Sequence, residues 1–360
     1  MNIQQLTAAW AALYSSYGYQ NYTMSKFEEY ELYLRNKDFL ISDRVLTFTD
    51  TDGKLMALKP DVTLSIIKNT ADSPKGIQKI CYQEHVYRPG KSDQGFREIP
   101  QVGLECMGKL DSYSILEVLL LAVKSLQVIS DRCVLDISHM GLLARLLDSC
   151  GLSGQLRQQV LEAIGSKNAH SIKALCAEAG IDGSPLETAA LLSGKPSQVL
   201  PVLDQLLPDA PELQQLKALL RALEQAGVDC VNVDFSVIND MNYYNGIVFR
   251  GFVEGVPSGV LSGGEYDGLM GKMKRQDGAI GFALYPDLLE RMYGQEDRSE
   301  ADAVLLYEGD AELCALAKAM ETLTGQGLRV SAQPAGETIP DCPKVYRFVG
   351  NEVKCVEADA

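Results

Sequence analysis

Positive charge is scarce in this chain. Its 360 residues carry 33 Lys and Arg against 48 Asp and Glu, a formal net charge of −15. Proteins that hold nucleic acid by its phosphates need a basic face, because counterion release supplies most of that affinity. No Lys/Arg cluster with interleaved aromatics supplies one, so transfer RNA is not an expected partner, whereas a protein with a complementary surface is. Histidine is scarcer still. The three present, His85, His139 and His170, exclude a multi-histidine metal site, and none stands in a motif with a Ser or Cys partner. The nine cysteines are odd in number and scattered, with no Cys-x-x-Cys pair and no zinc-ligand spacing. Cys81, Cys106, Cys133 and Cys230 lie in apolar strand-like runs and read as small buried thiols of a reducing compartment. No apolar run approaches the ~20 residues of a membrane span. Met1-Asn2-Ile3-Gln4-Gln5 lacks the basic start and apolar stretch of a secretory signal. The expectation is a cytoplasmic protein with no metal, no cofactor and no membrane contact. The Gly-Xaa-Gly-Xaa-Xaa-Gly fingerprint and the P-loop are also missing.

What is present is the composition of a globular protein with a substantial core, 46% hydrophobic and 22% charged, at a length that implies two or three domains. Leu6, Trp10, Leu13, Tyr14 and Tyr17 recur at helical spacing over 2–17. Residues 39–49 and 54–59 flank Asp50-Thr51-Asp52-Gly53, a hairpin turn. A helix follows Lys59-Pro60-Asp61-Val62-Thr63 to Asn69, strand–turn–strand occupies 78–108, and 111–129 is a strongly apolar helix. From about 140 to 228 the pattern is almost wholly helical. Strands return at 230–236, 246–253, 259–261 and 278–284. A polar linker near 294–301 precedes a β-α-β-β-β block. These elements predict an α+β fold: an antiparallel sheet flanked by helices, with a helical insertion and a small C-terminal α/β domain. The expected division is 1–135 with 229–295, then 136–228, then 301–360.

The chemistry concentrates at 82–108. Arg88 and Arg97 flank a polar turn from Pro89 to Gly95, and Gln101, Gly103 and Glu105 then alternate along a strand, sharing one face. A basic mouth above a Gln/Glu floor suits an anionic group beside a cationic one. Upstream, Asp61 and Thr63 follow a proline-fixed turn at a helix start, where a carboxylate serves either as N-cap or as partner for an ammonium.

These segments resemble motif 2 and neighbouring motifs of the class II aminoacyl-tRNA synthetases, the histidyl branch in particular. From Tyr17 to about Glu290 the chain is similar to the histidyl-tRNA synthetase catalytic domain, and more closely to the synthetase-like (HisZ-type) regulatory subunits of ATP phosphoribosyltransferase. Ala57-Leu58-Lys59-Pro60-Asp61-Val62-Thr63 matches the family's Leu-Arg-Pro-Glu/Asp-x-Thr. Asn239-Asp240-Met241-Asn242-Tyr243-Tyr244 matches its Arg-Gly-Leu-Asp-Tyr-Tyr, and Gly263-Gly264-Glu265-Tyr266-Asp267-Gly268-Leu269 matches its Gly-Gly-Arg-Tyr-Asp-Gly-Leu. The resemblance implies that Asp61, Thr63, Gln101, Glu105, Tyr243 and Tyr244 hold a histidine-like ligand, and that Arg88 and Arg97 are residual phosphate contacts.

Three family arginines are replaced, by Asn239, Glu265 and Leu288. Gly90 stands where the synthetases usually carry a glutamate. Losing one cation that stabilises transition-state charge typically costs about 3–4 kcal/mol, so losing three leaves no catalytic residues to name. The anion at Glu265 is further expected to turn polyphosphate away.

The resemblance therefore implies a non-catalytic regulatory subunit acting in the first step of histidine biosynthesis. Its partner would be a short-form ATP phosphoribosyltransferase catalytic subunit and its effector histidine. It also implies a homodimer through Tyr17–Tyr33 within a hetero-oligomer, although that segment lacks the motif 1 proline. The alternatives are a divergent histidine–tRNA ligase or amino-acid ligase, and a synthetase-like paralogue with an unrelated partner.

Overall fold

The computed structural model describes residues 2–37, 40, 44–70, 76–90, 95–238, 244–289, 292, 301–309, 311–336 and 342–356. The chain forms two compact units, Met1–Met292 and Tyr293–Ala360.

The larger unit is built on a nine-stranded sheet. Its strand order is Gln20–Asn21, Gln78–Pro89, Phe96–Gly108, Gly278–Leu284, Leu261–Glu265, Ile247–Val253, Cys133–His139, Val231–Asp234 and Ser193–Gly194. Neighbours run antiparallel except at Gln20–Asn21 beside Gln78–Pro89 and at Cys133–His139 beside Val231–Asp234. The apolar run around Cys133 is thus a full strand in the interior of the sheet. The stretch expected to be almost wholly helical holds six helices and the two-residue strand Ser193–Gly194.

One face of the sheet carries Leu104, Cys106, Phe249, Ile280 and Phe282, all buried. Two long helices pack on this unit's core. Ile3–Ser16 starts with a reciprocal capping box, Asn2 with Gln5. It meets Ser112–Ile129 through Trp10 Nε1 donating to the Ser125 carbonyl at 3.0 Å and a Tyr14–Ser125 hydroxyl contact at 3.0 Å. Tyr14 also lies edge-on to Phe282. Ser112–Ile129, capped by Asp111, corrects one expectation. Its 18 residues are long and apolar enough to cross a membrane, yet 61% of that stretch is buried inside the fold. It is a core helix, packed on the strands Cys133–His139, Ile247–Val253 and Gly278–Leu284.

The opposite face is covered by the helices Val62–Asn69 and Asp267–Lys272 and by a small antiparallel sheet of Phe27–Glu29, Leu55–Leu58 and Thr47–Thr49. The Asp50–Gly53 turn closes the hairpin of that sheet, with Gly53 in the left-handed region at φ +85°. Tyr33, Leu64, Ile66, Ile80, Tyr82, Val86, Tyr266 and Met270 form a second core there, and the candidate site lies within it.

The smaller unit has the strand order Val330–Pro334, Ala303–Tyr307, Val345–Val349, Glu352–Val356. The first three run parallel and the last antiparallel. The helix Leu313–Gly325 packs Ala319 and Leu323 on Leu305 and Phe348. Asp302 and Arg329 pair at 2.9 Å, and the guanidinium holds the aspartate well below the usual carboxylate range.

Candidate functional site

Pairing across the sheet places the site residues. Glu105 stands opposite Ile80 on one side and Gly281 on the other, Gly103 opposite Tyr82, Gln101 opposite Glu84, and Arg97 opposite Arg88. Gly281 in turn faces Gly264. Directly paired residues share a face, so Gln101, Gly103, Glu105, Tyr82, Glu84, Gly264 and Gly281 all belong to the second-core side. The three glycines are where bulk is accommodated. A β-carbon on Gly103 would lie 2.5 Å from Tyr82 Oη, one on Gly264 2.6 Å from Tyr244 Cδ1, and one on Gly281 1.8 Å from Glu105 Oε2. Two tyrosines and a glutamate therefore lie against a glycine floor.

The helix Val62–Asn69 supplies the opposite wall. Pro60 ends the incoming turn and Asp61 caps the helix, accepting from Leu64 N at 2.9 Å. Thr63 Oγ1 donates to Glu105 Oε1 at 2.9 Å, and Tyr266 Oη donates to Glu105 Oε2 at 2.6 Å. Arg88 donates through Nε to the Pro60 carbonyl at 2.8 Å and stands 3.7 Å from Asp61. Asp61 thus serves as helix cap and as a charge facing Arg88 at once.

Electrostatically the site is short of cations. Burial pushes the Glu105 carboxyl up to about 8 despite its two hydroxyl donors, and the charge of Asp61 adds to the rise. Asp61 is also raised, by burial first, with Arg88 and the helix-start N–H groups pulling it back. Tyr82 and Tyr244 are held well above the usual phenol range by burial, and the charges of Glu105 and Asp61 push the same way. Asp61 and Glu105 share this enclosure with Arg88, 3.7 Å from Asp61, and with a weaker attraction from the buried Lys59 to Asp61. An incoming ammonium would relieve both. Among the described residues, no cluster of three or more His, Cys, Asp or Glu has the geometry to hold a metal ion.

The profile of the histidyl-tRNA synthetase family matches residues 1–289. The chain belongs to this family. It is similar to an ATP phosphoribosyltransferase regulatory subunit of Thermoanaerobacter sp. (strain X514), with 30% identity over 285 residues covering 76% of this chain and 73% of that protein. Among solved structures it is similar to an ATP phosphoribosyltransferase regulatory subunit/histidyl-tRNA synthetase from Bacillus halodurans, with TM-score 0.79 and 24% identity over 94% of this chain and 90% of that one. A further likeness is to a chain of the ATP phosphoribosyltransferase HisG:HisZ complex of Thermotoga maritima. There the TM-score is 0.63 at 22% identity, covering 78% of this chain and 96% of that one. The last two comparisons establish the fold.

With the histidyl-tRNA synthetase family in place, the ligand set divides. Asp61, Thr63, Gln101, Glu105 and Tyr244 come together in the enclosure just described, while Tyr243 lies outside the described residues, as does Asn239. Arg88 is engaged with Pro60 and Asp61, and Arg97 is exposed. Leu288 sits in the short 3-10 turn Pro286–Leu289 and offers no charge.

Glu265 requires a correction. It pairs with Ile280, which pairs with Cys106, so its side chain lies on the face that carries Leu104, Cys106 and Phe282 and not with Glu105. There it is buried, accepts from Ile247 N at 2.6 Å, and fits under Gly246, where a β-carbon would come within 2.1 Å of its Oε2. Burial raises it to about 7. It replaces the family arginine, but it does not stand in the enclosure as a charge that repels polyphosphate.

Four contributors were missed: Lys59, Glu84, Tyr82 and Tyr266. Fully buried Lys59 pairs with Glu84 at 2.9 Å. Tyr82 and Glu84 could have been found by carrying the two-residue alternation back from Arg88 along the same strand. Tyr266 and Lys59 carried no such local signal.

Proposed function

We propose that this chain is a non-catalytic regulatory subunit of a short-form ATP phosphoribosyltransferase and that its synthetase-like enclosure binds histidine as the feedback effector. It would act in the first step of histidine biosynthesis, in the cytoplasm, as a homodimer within a hetero-oligomer. The observation that carries the reading is the half-buried Asp61 beside the buried Glu105, a site that favours an ammonium. It is joined to a family membership whose adenylation arginines are replaced. Tyr82 and Tyr244 provide aromatic faces suited to an imidazole, and Gln101, buried on the same face, provides a neutral polar partner.

Regulation by histidine requires that its affinity differ between the active and inactive states of the complex. Chemistry of the adenylation type relies on positioned cations around phosphate, and three of the family's arginines are replaced here, by Asn239, Glu265 and Leu288.

The test is reconstitution. The chain, mixed with a short-form catalytic subunit from the same cell, is expected to raise phosphoribosyl transfer to ATP and to make it inhibitable by histidine. Calorimetry is expected to show histidine binding and no ATP binding. Histidine-dependent exchange of pyrophosphate into ATP by the chain alone would overturn the proposal.

A further inference from the structure

Behind Asp61 lies an ion pair that the ligand set does not use. Lys59 has no exposed surface, and its Nζ donates to Glu84 Oε2 at 2.9 Å. The other carboxylate oxygen of Glu84 accepts from the Met24 backbone N–H at 3.0 Å. The Lys59 backbone is pinned at both ends: its N–H donates to the Lys26 carbonyl at 2.9 Å, and its carbonyl accepts from Tyr87 N at 2.9 Å. One residue on, Arg88 holds the Pro60 carbonyl at 2.8 Å. Three chain segments, 24–26, 59–61 and 84–88, therefore converge immediately before the ligand-facing carboxylate. The charges facing Lys59 are Glu84 in contact, with Glu28 and Asp61 further off, and Glu28 is itself engaged by Lys68 and Asn69.

Removing two charges from water costs so much that a buried pair contributes little net stability over an apolar pair of the same volume. What such a pair does provide is geometry, because the partners must meet at one distance and one angle to offset that cost. Here the geometry concerns a turn whose next side chain is Asp61.

We infer that the Lys59–Glu84 pair is a positioning clamp, holding Asp61 at the amino-group end of the enclosure and coupling ligand occupancy to the order of segment 24–28. The inference rests on the amine-binding reading above. Neither side chain touches the ligand. Lys59 acts through the turn it precedes, and Glu84 acts through Met24 and Lys59. Segment 24–28 runs into the surface strand Phe27–Glu29, with Phe27 exposed, so a ligand that draws on Asp61 would alter order at the protein surface.

The test uses the full chain, two ligands and two measurements. The double variant Lys59→Met/Glu84→Leu replaces the pair by apolar side chains and is expected to fold, with a melting temperature lowered only by the loss of the acceptor for Met24 N–H. Its affinity for histidine should fall about tenfold, the effect of losing one well-placed charged contact. Its affinity for des-amino-histidine, which lacks the ammonium that Asp61 would meet, should not change. In the wild type, histidine should slow amide exchange at 24–28 as well as at 61–63. A double variant that binds both ligands as the wild type does would overturn the clamp, as would protection confined to 61–63. Should the double variant fail to fold, the wild-type exchange measurement decides alone. A wild type that binds no histidine would overturn the amine-binding reading itself, and the clamp with it.

Discussion

Glu105 lies over Gly281 of the adjacent strand so closely that a β-carbon there would sit 1.8 Å from its carboxylate oxygen and 2.4 Å from the Leu104 carbonyl. Neither neighbour can move freely: one is backbone, and the other is fixed by Thr63 and Tyr266. Gly281→Ala is expected to cost about 1–3 kcal/mol through overpacking and to weaken histidine binding by displacing Glu105. Urea unfolding together with calorimetry checks both effects. A variant as stable as the wild type would mean that the strands can part without penalty.

The two roles of Asp61 separate by substitution. Asn can accept the Leu64 N–H as Asp does but carries no charge, whereas Ala loses both functions. Asp61→Asn is expected to leave stability nearly unchanged while reducing histidine affinity, and Asp61→Ala to lose about 1 kcal/mol of stability as well. Equal histidine affinity in wild type and Asp61→Asn would reduce Asp61 to a helix cap.

Glu105 makes stability depend on pH with a definite sign. Its folded value, about 8, lies above the ordinary 4.5. Between those values the unfolded chain has released a proton that the folded chain keeps. Its contribution is therefore fully favourable below 4.5 and is lost as pH rises towards about 8. Glu265, raised to about 7, contributes in the same direction. Urea midpoints are expected to fall between about pH 5 and about pH 8, and Glu105→Gln to flatten part of that slope. A slope unchanged in Glu105→Gln would remove this carboxyl as its source.

The same carboxyl links binding to protons. An ammonium arriving beside Glu105 favours its ionised form, so histidine binding near neutral pH is expected to release up to one proton and to tighten as pH approaches 8. Binding enthalpies measured in buffers of different ionisation heat report that proton directly. No dependence on buffer would place the ligand's amine elsewhere.

Restoring the family's arginine at position 265 is not expected to restore ATP binding. Glu265 is buried on the face that carries Cys106 and Ile280 and hydrogen-bonded to Ile247 N. Glu265→Arg would leave the Ile247 N–H without its acceptor and push a longer side chain into that space, at a cost of about 1–3 kcal/mol. Thermal unfolding with an ATP titration checks this. A stable variant that gained ATP affinity would contradict the placement of this strand.

Much of this site can be read along the chain because it depends on close neighbours. The alternation that puts Gln101 and Glu105 on one face is a property of any strand. The Pro60-Asp61 turn before a helix fixes a cap whatever packs around it. The helices Ile3–Ser16, Val62–Asn69 and Ser112–Ile129 fall where periodicity and capping residues put them. Glu265 is harder to place because it follows Gly263-Gly264, two residues without side chains to mark an inside and an outside. Lys59 looks like an ordinary solvent-facing lysine until Glu84, 25 positions on, is brought against it.

By itself, then, the sequence determined the family, the order of elements, the acidic balance of the chain and the carboxylates at Asp61 and Glu105. Each of these follows from residue identity or from spacing within a few positions. Only the tertiary structure decided which face of the sheet Glu265 occupies, that Tyr82 and Tyr244 lie on glycines of neighbouring strands, and that Glu105 is buried deeply enough to hold its proton near neutral pH. Those outcomes depend on register between strands far apart in the chain and on the loss of water around a charge, and neither quantity exists until the strands have paired.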